Sequence, residues 1–168
     1  MRFDWGEDGA AAVGTDADVV VWVDVVPGDF DPLLLLLLAG NGDVVGADFA
    51  SARAVAEWIV NRQRTLAKRL TVAVIAAGAT RSSGHRFAVE DLLAAGAVIR
   101  ALGELGLDAT SPESAAAEAA FAGLSRGLAH LVAASVSVAE GGAGASSVGT
   151  RIDPNLRPSD VRILRSAR

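Results

Sequence analysis

Residues 18–26, "DVVVWVDVV", form a nearly unbroken run of β-branched apolar side chains. A run of this kind is typical of a strand that is covered on both faces, as in a parallel sheet. Two further runs, "GDVVGAD" at 42–48 and "TVAVIAAG" at 71–78, each precede a helical pattern. Because strands and helices alternate, the sequence predicts an α/β fold: a single domain with a mostly parallel sheet and helices on both faces.

The remaining elements follow from periodicity and from start and stop signals. Apolar residues at helical spacing predict helices from Phe49 to about Leu70 and from Phe87 to about Leu105. A third helix is predicted to begin after Ser111, with proline at its first position, and to reach about residue 134. The segment 140–149 has the composition of a flexible tail, and "DVRIL" at 160–164 is predicted to be a closing edge strand.

Length, net charge and cysteine content limit the classes of protein to which this chain can belong. A chain of 168 residues is long enough for one domain with a substantial core. Its formal charge of −5 argues against binding to nucleic acid, and the absence of cysteine excludes disulfides and thiolate metal sites. The acidic N-terminus lacks the pattern of an export signal, and the apolar run 32–40 is too short to cross a bilayer. We therefore expect a cytoplasmic protein with no membrane partner.

In an open parallel sheet, chemistry gathers where strands end and loops begin. Asp24 lies near the end of the first apolar run, where an unpaired buried carboxylate would be costly and thus calls for a partner. The loop after the run at 71–78 contains glycines and positive or ionisable side chains. Its candidate substrate-binding residues are Gly78, Arg81, Gly84, His85 and Arg86.

Glu90 and Asp91 fall in the first turn of the helix that follows this loop. If they turn inward beside Asp24, three carboxylates converge at the sheet edge, and hard oxygen ligands of this kind suit Mg²⁺. Two simpler interpretations stay open: the acidic pair could only complement the helix dipole, and Arg81 and Arg86 could be ordinary solvated charges.

Several segments together resemble the 2-phosphosulfolactate phosphatases of the coenzyme M biosynthesis type and their bacterial relatives. The segments are "FDWGEDGAAAV", "DVVVWVDVV", "ARAVAEWIV", "VAVIAAG" and "RFAVEDLLAAGAVI". The resemblance covers most of the chain and is strongest over residues 49–100. It implies an α/β fold and Mg²⁺-dependent hydrolysis of the phosphate ester of a small acidic metabolite.

The resemblance also implies roles for individual residues. Asp24 matches the aspartate that ends a family strand, and Glu90 and Asp91 match the acidic pair that opens a family helix, so these three would be the catalytic and metal-binding residues. Arg86 matches an arginine that bacterial relatives carry before the same helix. The partner implied is a small anionic phosphorylated substrate.

The chain departs from the family pattern after Asp24, where it reads "VVPGDFDPLL" in place of a Leu-Arg-Ser/Thr-Thr motif. Relative to the family it has an internal deletion near 27–40. An alternative function is therefore a catalytically inactive relative that acts as a binding or assembly module. The run Leu33–Leu38, which is too apolar to face water, would then form a contact between subunits of a homo-oligomer.

Overall fold

The structure is a computed structural model that describes residues 1–26, 40–82, 84–145 and 149–167. The run Leu33–Leu38 and the region of the expected deletion, 27–39, lie outside the described residues. The subunit contact expected of that run therefore stays a prediction.

The described chain forms one five-stranded sheet with the strand order β1-β4-β2-β3-β7. The strands β1, β4, β2 and β3 are parallel, and β7 adds to β3 in the antiparallel direction. A separate hairpin, β5–β6, follows β4. The strand bounds are β1 Arg2–Trp5, β2 Val19–Val23, β3 Asp43–Ala47, β4 Val72–Ala76, β5 Ala79–Arg81, β6 Gly84–Arg86 and β7 Arg162–Arg165.

Helices cover both faces of the sheet. The first helix, α1, continues directly into a π-helical turn, and a 3₁₀ turn at 125–127 separates α4 from α5. The helix bounds are α1 Gly6–Gly9 with the π-helical turn Ala10–Gly14, α2 Ala52–Leu66, α3 Val89–Glu104, α4 Pro112–Leu124, α5 Leu128–Ala133 and α6 Val136–Ala145.

The side chains of β2 show how the sheet divides the core. All five residues of β2 are buried, and successive side chains point to opposite faces. Val19, Val21 and Val23 belong to the larger apolar cluster, which includes residues of α2 and α3. Trp22 belongs to a smaller cluster on the other face with Ala10 of the π-helical turn. The prediction of an α/β domain with a mostly parallel sheet and helices on both faces is confirmed.

Most predicted elements are present, with shorter bounds. The three apolar runs are β2, β3 and β4, and the C-terminal edge strand is β7. Helix α4 begins as expected, since the Ser111 hydroxyl accepts the backbone N–H of Ser114 at 3.2 Å and Pro112 follows. Three regions differ from the prediction. The helix predicted to reach about residue 134 is divided by the 3₁₀ turn at 125–127, the segment expected to be flexible is helical up to Ala145, and the loop expected after β4 contains the hairpin β5–β6.

The stretch Pro112–Gly141 contains an 18-residue window with a mean hydropathy of 1.3, so by length and composition alone it would suffice to cross a membrane. In the structure this stretch is divided into α4, α5 and α6 by the turns at 125–127 and 134–135. The expectation of a cytoplasmic protein stays a prediction.

Candidate functional site

The carboxyl ends of the four parallel strands meet at one edge of the sheet. Asp24 directly follows β2, Asp48 directly follows β3, and Gly78 lies two residues beyond the end of β4. Helix α3 begins near the same edge, with Glu90 and Asp91 in its first turn and both almost completely buried. The fold therefore brings the acidic residues predicted from the sequence to one place.

Asp91 connects helix α3 to two strand ends. Its Oδ1 accepts the backbone N–H of Val25 at 2.9 Å, and its Oδ2 accepts the backbone N–H of Gly78 at 2.9 Å. Burial raises the pKa of Asp91 well above its usual value, the nearby carboxyl groups of Asp24 and Glu90 raise it further, and the two backbone hydrogen bonds oppose this rise. Asp91 thus links helix α3 to the ends of β2 and β4 through two hydrogen bonds.

Asp24 and Glu90 influence each other electrostatically. Burial raises the pKa of Asp24 to about 6, Arg162 works against this rise, and the carboxyl group of Glu90 adds to it. Glu90 is 1% exposed, and within the described chain its buried Oε2 has no hydrogen-bond partner. An unpartnered carboxylate oxygen in the interior is costly, so this pair of side chains is suited to a ligand that supplies positive charge.

A cleft of about 330 Å³ opens beside Asp24 at the ends of β2 and β3. Arg162 of β7 reaches into this cleft across Gly46 of β3, which offers no side chain to block it. A Cβ at position 46 would lie 2.5 Å from the Nε and 2.6 Å from the Nη2 of Arg162. Sequence reasoning missed Arg162, and the one local signal for it was a glycine inside a buried strand, which often marks a close approach.

The other polar side chains of the cleft are already used by local structure. Asp48 and Ser51 form a reciprocal pair before helix α2, since the Ser51 N–H donates to Asp48 Oδ1 at 2.8 Å and the Asp48 N–H donates to Ser51 Oγ at 3.0 Å. Asp160 accepts the backbone N–H of Arg157 at 2.9 Å. Within the described ranges, no hydrogen bond or ion pair engages the side chain of Asp24 or Arg162. These two groups are left to face the cleft.

The predicted substrate-binding arginines lie on the hairpin β5–β6 and contact helix α6. Arg81 pairs with Glu140. Arg86 donates to Ser137 Oγ at 2.7 Å and to the Phe87 carbonyl at 2.9 Å, and its guanidinium lies 3.8 Å from Glu140. Gly84 is the first residue of β6 and has a φ of 112°, a conformation that favours glycine. In this structure the two arginines hold the hairpin against α6.

His85 packs against the glycine that follows β4. A Cβ at Gly78 would lie 2.2 Å from the imidazole Cε1, so only glycine fits beneath this ring. The ring also lies 6.0 Å from the ring centres of both Trp5 and Phe87. Because the N–H of Gly78 donates to Asp91, the expected approach of an anion to Gly78 would compete with existing contacts.

Two carboxylates of this site are suited to bind Mg²⁺. No group of three His, Asp or Glu side chains in the described part of the chain is arranged to hold a metal ion. Mg²⁺ is commonly bound by one or two carboxylates together with water and substrate phosphate. Asp24 and the unpartnered oxygen of Glu90 provide such a pair, whereas both oxygens of Asp91 accept backbone N–H groups.

Comparison with profiles of known protein families and with curated proteins gives no significant match for this chain. The resemblance to the 2-phosphosulfolactate phosphatases therefore stays a prediction from its short motifs. The class that the fold and the site define is an α/β domain with an acidic cleft at the carboxyl edge of its parallel strands.

Proposed function

We propose that this chain is a Mg²⁺-dependent phosphatase that hydrolyses the phosphate ester of a small acidic metabolite, of the 2-phosphosulfolactate type. The observation that supports the proposal best is the buried, unpartnered Oε2 of Glu90, whose carboxyl group acts electrostatically on Asp24. Asp24 and Arg162 line the same cleft. Acidic groups for a cation and a basic group for an anion thus lie side by side.

Glu90 and Asp24 are the residues that would hold Mg²⁺, and Asp91 fixes their positions through the two strand ends that it binds. When bound, the cation would neutralise charge on a phosphoryl oxygen and orient water, which are main requirements of phosphate-ester hydrolysis. In this scheme Asp91 is a positioning residue, which revises its expected role as a metal ligand.

Arg162 would bind the phosphate, the role for which the sequence suggested Arg81 and Arg86. Its guanidinium lies over Gly46, free of any ion pair within the described chain, and faces the same cleft as Asp24. A planar guanidinium can donate two parallel hydrogen bonds to phosphate oxygens. The small volume of the cleft, about 330 Å³, favours a metabolite over a polymer.

The first test measures metal binding apart from turnover. Isothermal titration of the purified protein with Mg²⁺ should show one site, and Glu90→Gln should weaken it at least tenfold because a buried charge is removed. The matched control is Glu57→Gln, which removes a carboxylate from the surface of helix α2. Equal Mg²⁺ affinity in all three proteins would overturn the metal site.

The second test measures release of inorganic phosphate from a panel of phosphorylated hydroxy acids with Mg²⁺. Arg162→Met should lower kcat/KM by about 10- to 150-fold through loss of charge-assisted hydrogen bonds. Gly46→Ala should act in the same direction because its methyl group displaces the guanidinium while the strand is kept. Arg126→Met, on an exposed turn, is the control. Turnover that survives removal of Arg162 would contradict its assignment.

The alternative function, a binding module without catalysis, is favoured by the engagement of Arg81, Arg86 and Asp91 in structural contacts. Under this alternative the protein binds Mg²⁺ and a phosphate ester but releases no phosphate. The two assays above therefore separate the functions, since only the enzyme shows turnover that EDTA abolishes.

A further inference from the structure

A second cavity lies on the opposite side of strand β4 from the acidic cleft. It has a volume of about 570 Å³ and is bounded by β1, the start of α3 and the first turns of α4. This volume lies in the range of small-molecule sites, about 300–1,000 Å³. The sheet order separates it from the cleft at β2 and β3, so it is independent of the proposed phosphatase site.

The aromatic side chains of Phe3, Trp5 and Phe87 line this cavity. Phe3 and Trp5 meet edge to face with ring centres 5.6 Å apart, and Trp5 meets Phe87 with ring centres 4.8 Å apart. Phe87 is 69% exposed, the highest value among the large apolar residues described, and Leu92 of α3 also lines the cavity. Exposed aromatic surface of this kind favours an apolar ligand, since covering one such ring contributes roughly 1.5–3 kcal/mol.

The polar lining of the cavity is acidic. Asp4 and Glu113 are its ionisable residues, and no basic side chain lines it among the described residues. One oxygen of Asp4 accepts the backbone N–H of Trp5 at 2.8 Å, and the side chain of Asp4 packs against Gly9 of α1. Glu113 is therefore the carboxylate of the lining that is not packed against α1. Hydrogen bonds from its own backbone and from Ser111 lower the pKa of Glu113, which keeps that carboxylate ionised.

We propose that this cavity binds a small organic cation, an aromatic or branched apolar body that carries one protonated amine. The apolar body would lie against Trp5 and Phe87, and the ammonium group would lie near Glu113. Aromatic faces attract cations in addition to the attraction from this carboxylate, so both features of the cavity favour a cationic ligand.

The test compares three probes of equal length and different charge: 4-phenylbutylamine, 4-phenylbutanol and 4-phenylbutanoate. Binding is followed by amide chemical shifts in the 168-residue chain without Mg²⁺, which keeps the result independent of the phosphatase proposal. The amine should bind with a dissociation constant of about 1 mM or lower, roughly tenfold more tightly than the alcohol, and the carboxylate should bind most weakly.

Matched variants locate the binding. Ala116→Leu fills the cavity from an exposed position of α4 and should abolish the shifts, whereas Ala119→Leu adds the same side chain to the same helix outside the cavity. Glu113→Gln should bring the affinities of amine and alcohol within about twofold of each other, and Glu118→Gln should not.

Three results would overturn the proposal. They are equal binding of the three probes, amine binding that survives Ala116→Leu, and self-association that covers Phe87 and excludes the amine. The last of these would identify the cavity as a contact between two copies of the chain. Because neither a phosphate ester nor Mg²⁺ is present in the test, its failure leaves the phosphatase proposal standing.

Discussion

Glu90 and Asp91 are neighbours in sequence and equally buried, yet their carboxyl groups are in different chemical situations. Both oxygens of Asp91 accept backbone N–H groups, whereas Oε2 of Glu90 has no partner within the described chain. Asp91 therefore stabilises the sheet edge, and Glu90 is the group that gains most from a bound cation. One turn of helix supplies both a structural residue and a candidate ligand.

Replacement of Asp91 shows whether its two backbone hydrogen bonds or only a helix-dipole interaction stabilise the fold. Asp91→Ala leaves two backbone N–H groups without acceptors, so the free energy of unfolding should fall by about 2–4 kcal/mol. Loss of a dipole interaction alone would cost roughly 0.3–1 kcal/mol. Chemical denaturation of both proteins measures the difference.

Asp91→Asn is the informative intermediate, because its amide retains a single acceptor oxygen. Its free energy of unfolding should fall between those of the wild type and Asp91→Ala. A decrease below about 1 kcal/mol in Asp91→Ala would show that the acidic pair only complements the dipole.

The residues of the site differ in how far the sequence reveals them. Asp24, Glu90 and Asp91 could be found because each stands at the end of a strand or the start of a helix, positions that local patterns predict. Arg162 could not be found in this way, since it lies 138 residues after Asp24 and reaches the cleft only through the antiparallel pairing of β7.

At the scale of elements, a close approach between helices α3 and α4 holds the first turn of α3 in place. A Cβ at Gly96 of α3 would lie 2.2 Å from the Ala117 carbonyl oxygen and 2.7 Å from the Cβ of Phe121. Only glycine permits this distance, and the helix that carries Glu90 and Asp91 therefore packs directly on the backbone of α4.

Two glycines of the same helix allow a matched comparison. Gly96→Ala should lower the free energy of unfolding by about 1–3 kcal/mol because the helices must separate. Gly103→Ala should raise it by about 0.5–1 kcal/mol, since a Cβ there meets nothing within 4 Å and alanine favours the helix. Thermal unfolding of the two variants checks the opposite signs. Stabilisation by Gly96→Ala would show that the contact is not rigid.

The elements that sequence reasoning missed are short or of unusual composition. Strand β1 has only four residues, two of them charged, so its apolar pattern is too brief to recognise. The strands of the hairpin have three residues each, and the end of α6 contains three glycines. Tertiary contacts, such as the pairing of Arg81 with Glu140, hold segments whose own propensity is weak.

At the scale of the whole molecule, the buried acids make stability depend on pH. The pKa of Asp24 is raised to about 6 and that of Asp91 is raised well above its usual value, mainly by burial. The folded state therefore binds protons more tightly than the unfolded chain. This contribution to stability is fully present below about pH 4 and is lost as pH rises through about 6.

Comparison with Asp24→Asn isolates this effect from the other titrating groups. As pH rises from 4 to 7 without divalent cation, the variant should gain stability relative to the wild type, at no more than about 1.4 kcal/mol per pH unit. Urea unfolding at several pH values measures the gap. Saturating Mg²⁺ should remove this difference in the free energy of unfolding. A difference that does not change with pH would contradict the assignment of the raised pKa.

The arginine that faces the acidic cleft belongs to the most C-terminal strand described, whereas Asp24, Glu90 and Asp91 belong to the first hundred residues. During synthesis on the ribosome, the emerging chain could thus assemble its carboxylates long before the guanidinium arrives. In the proposed phosphatase, a nascent chain would bind the cation first and the anion only after β7 has paired with β3, so the order of translation would itself delay turnover.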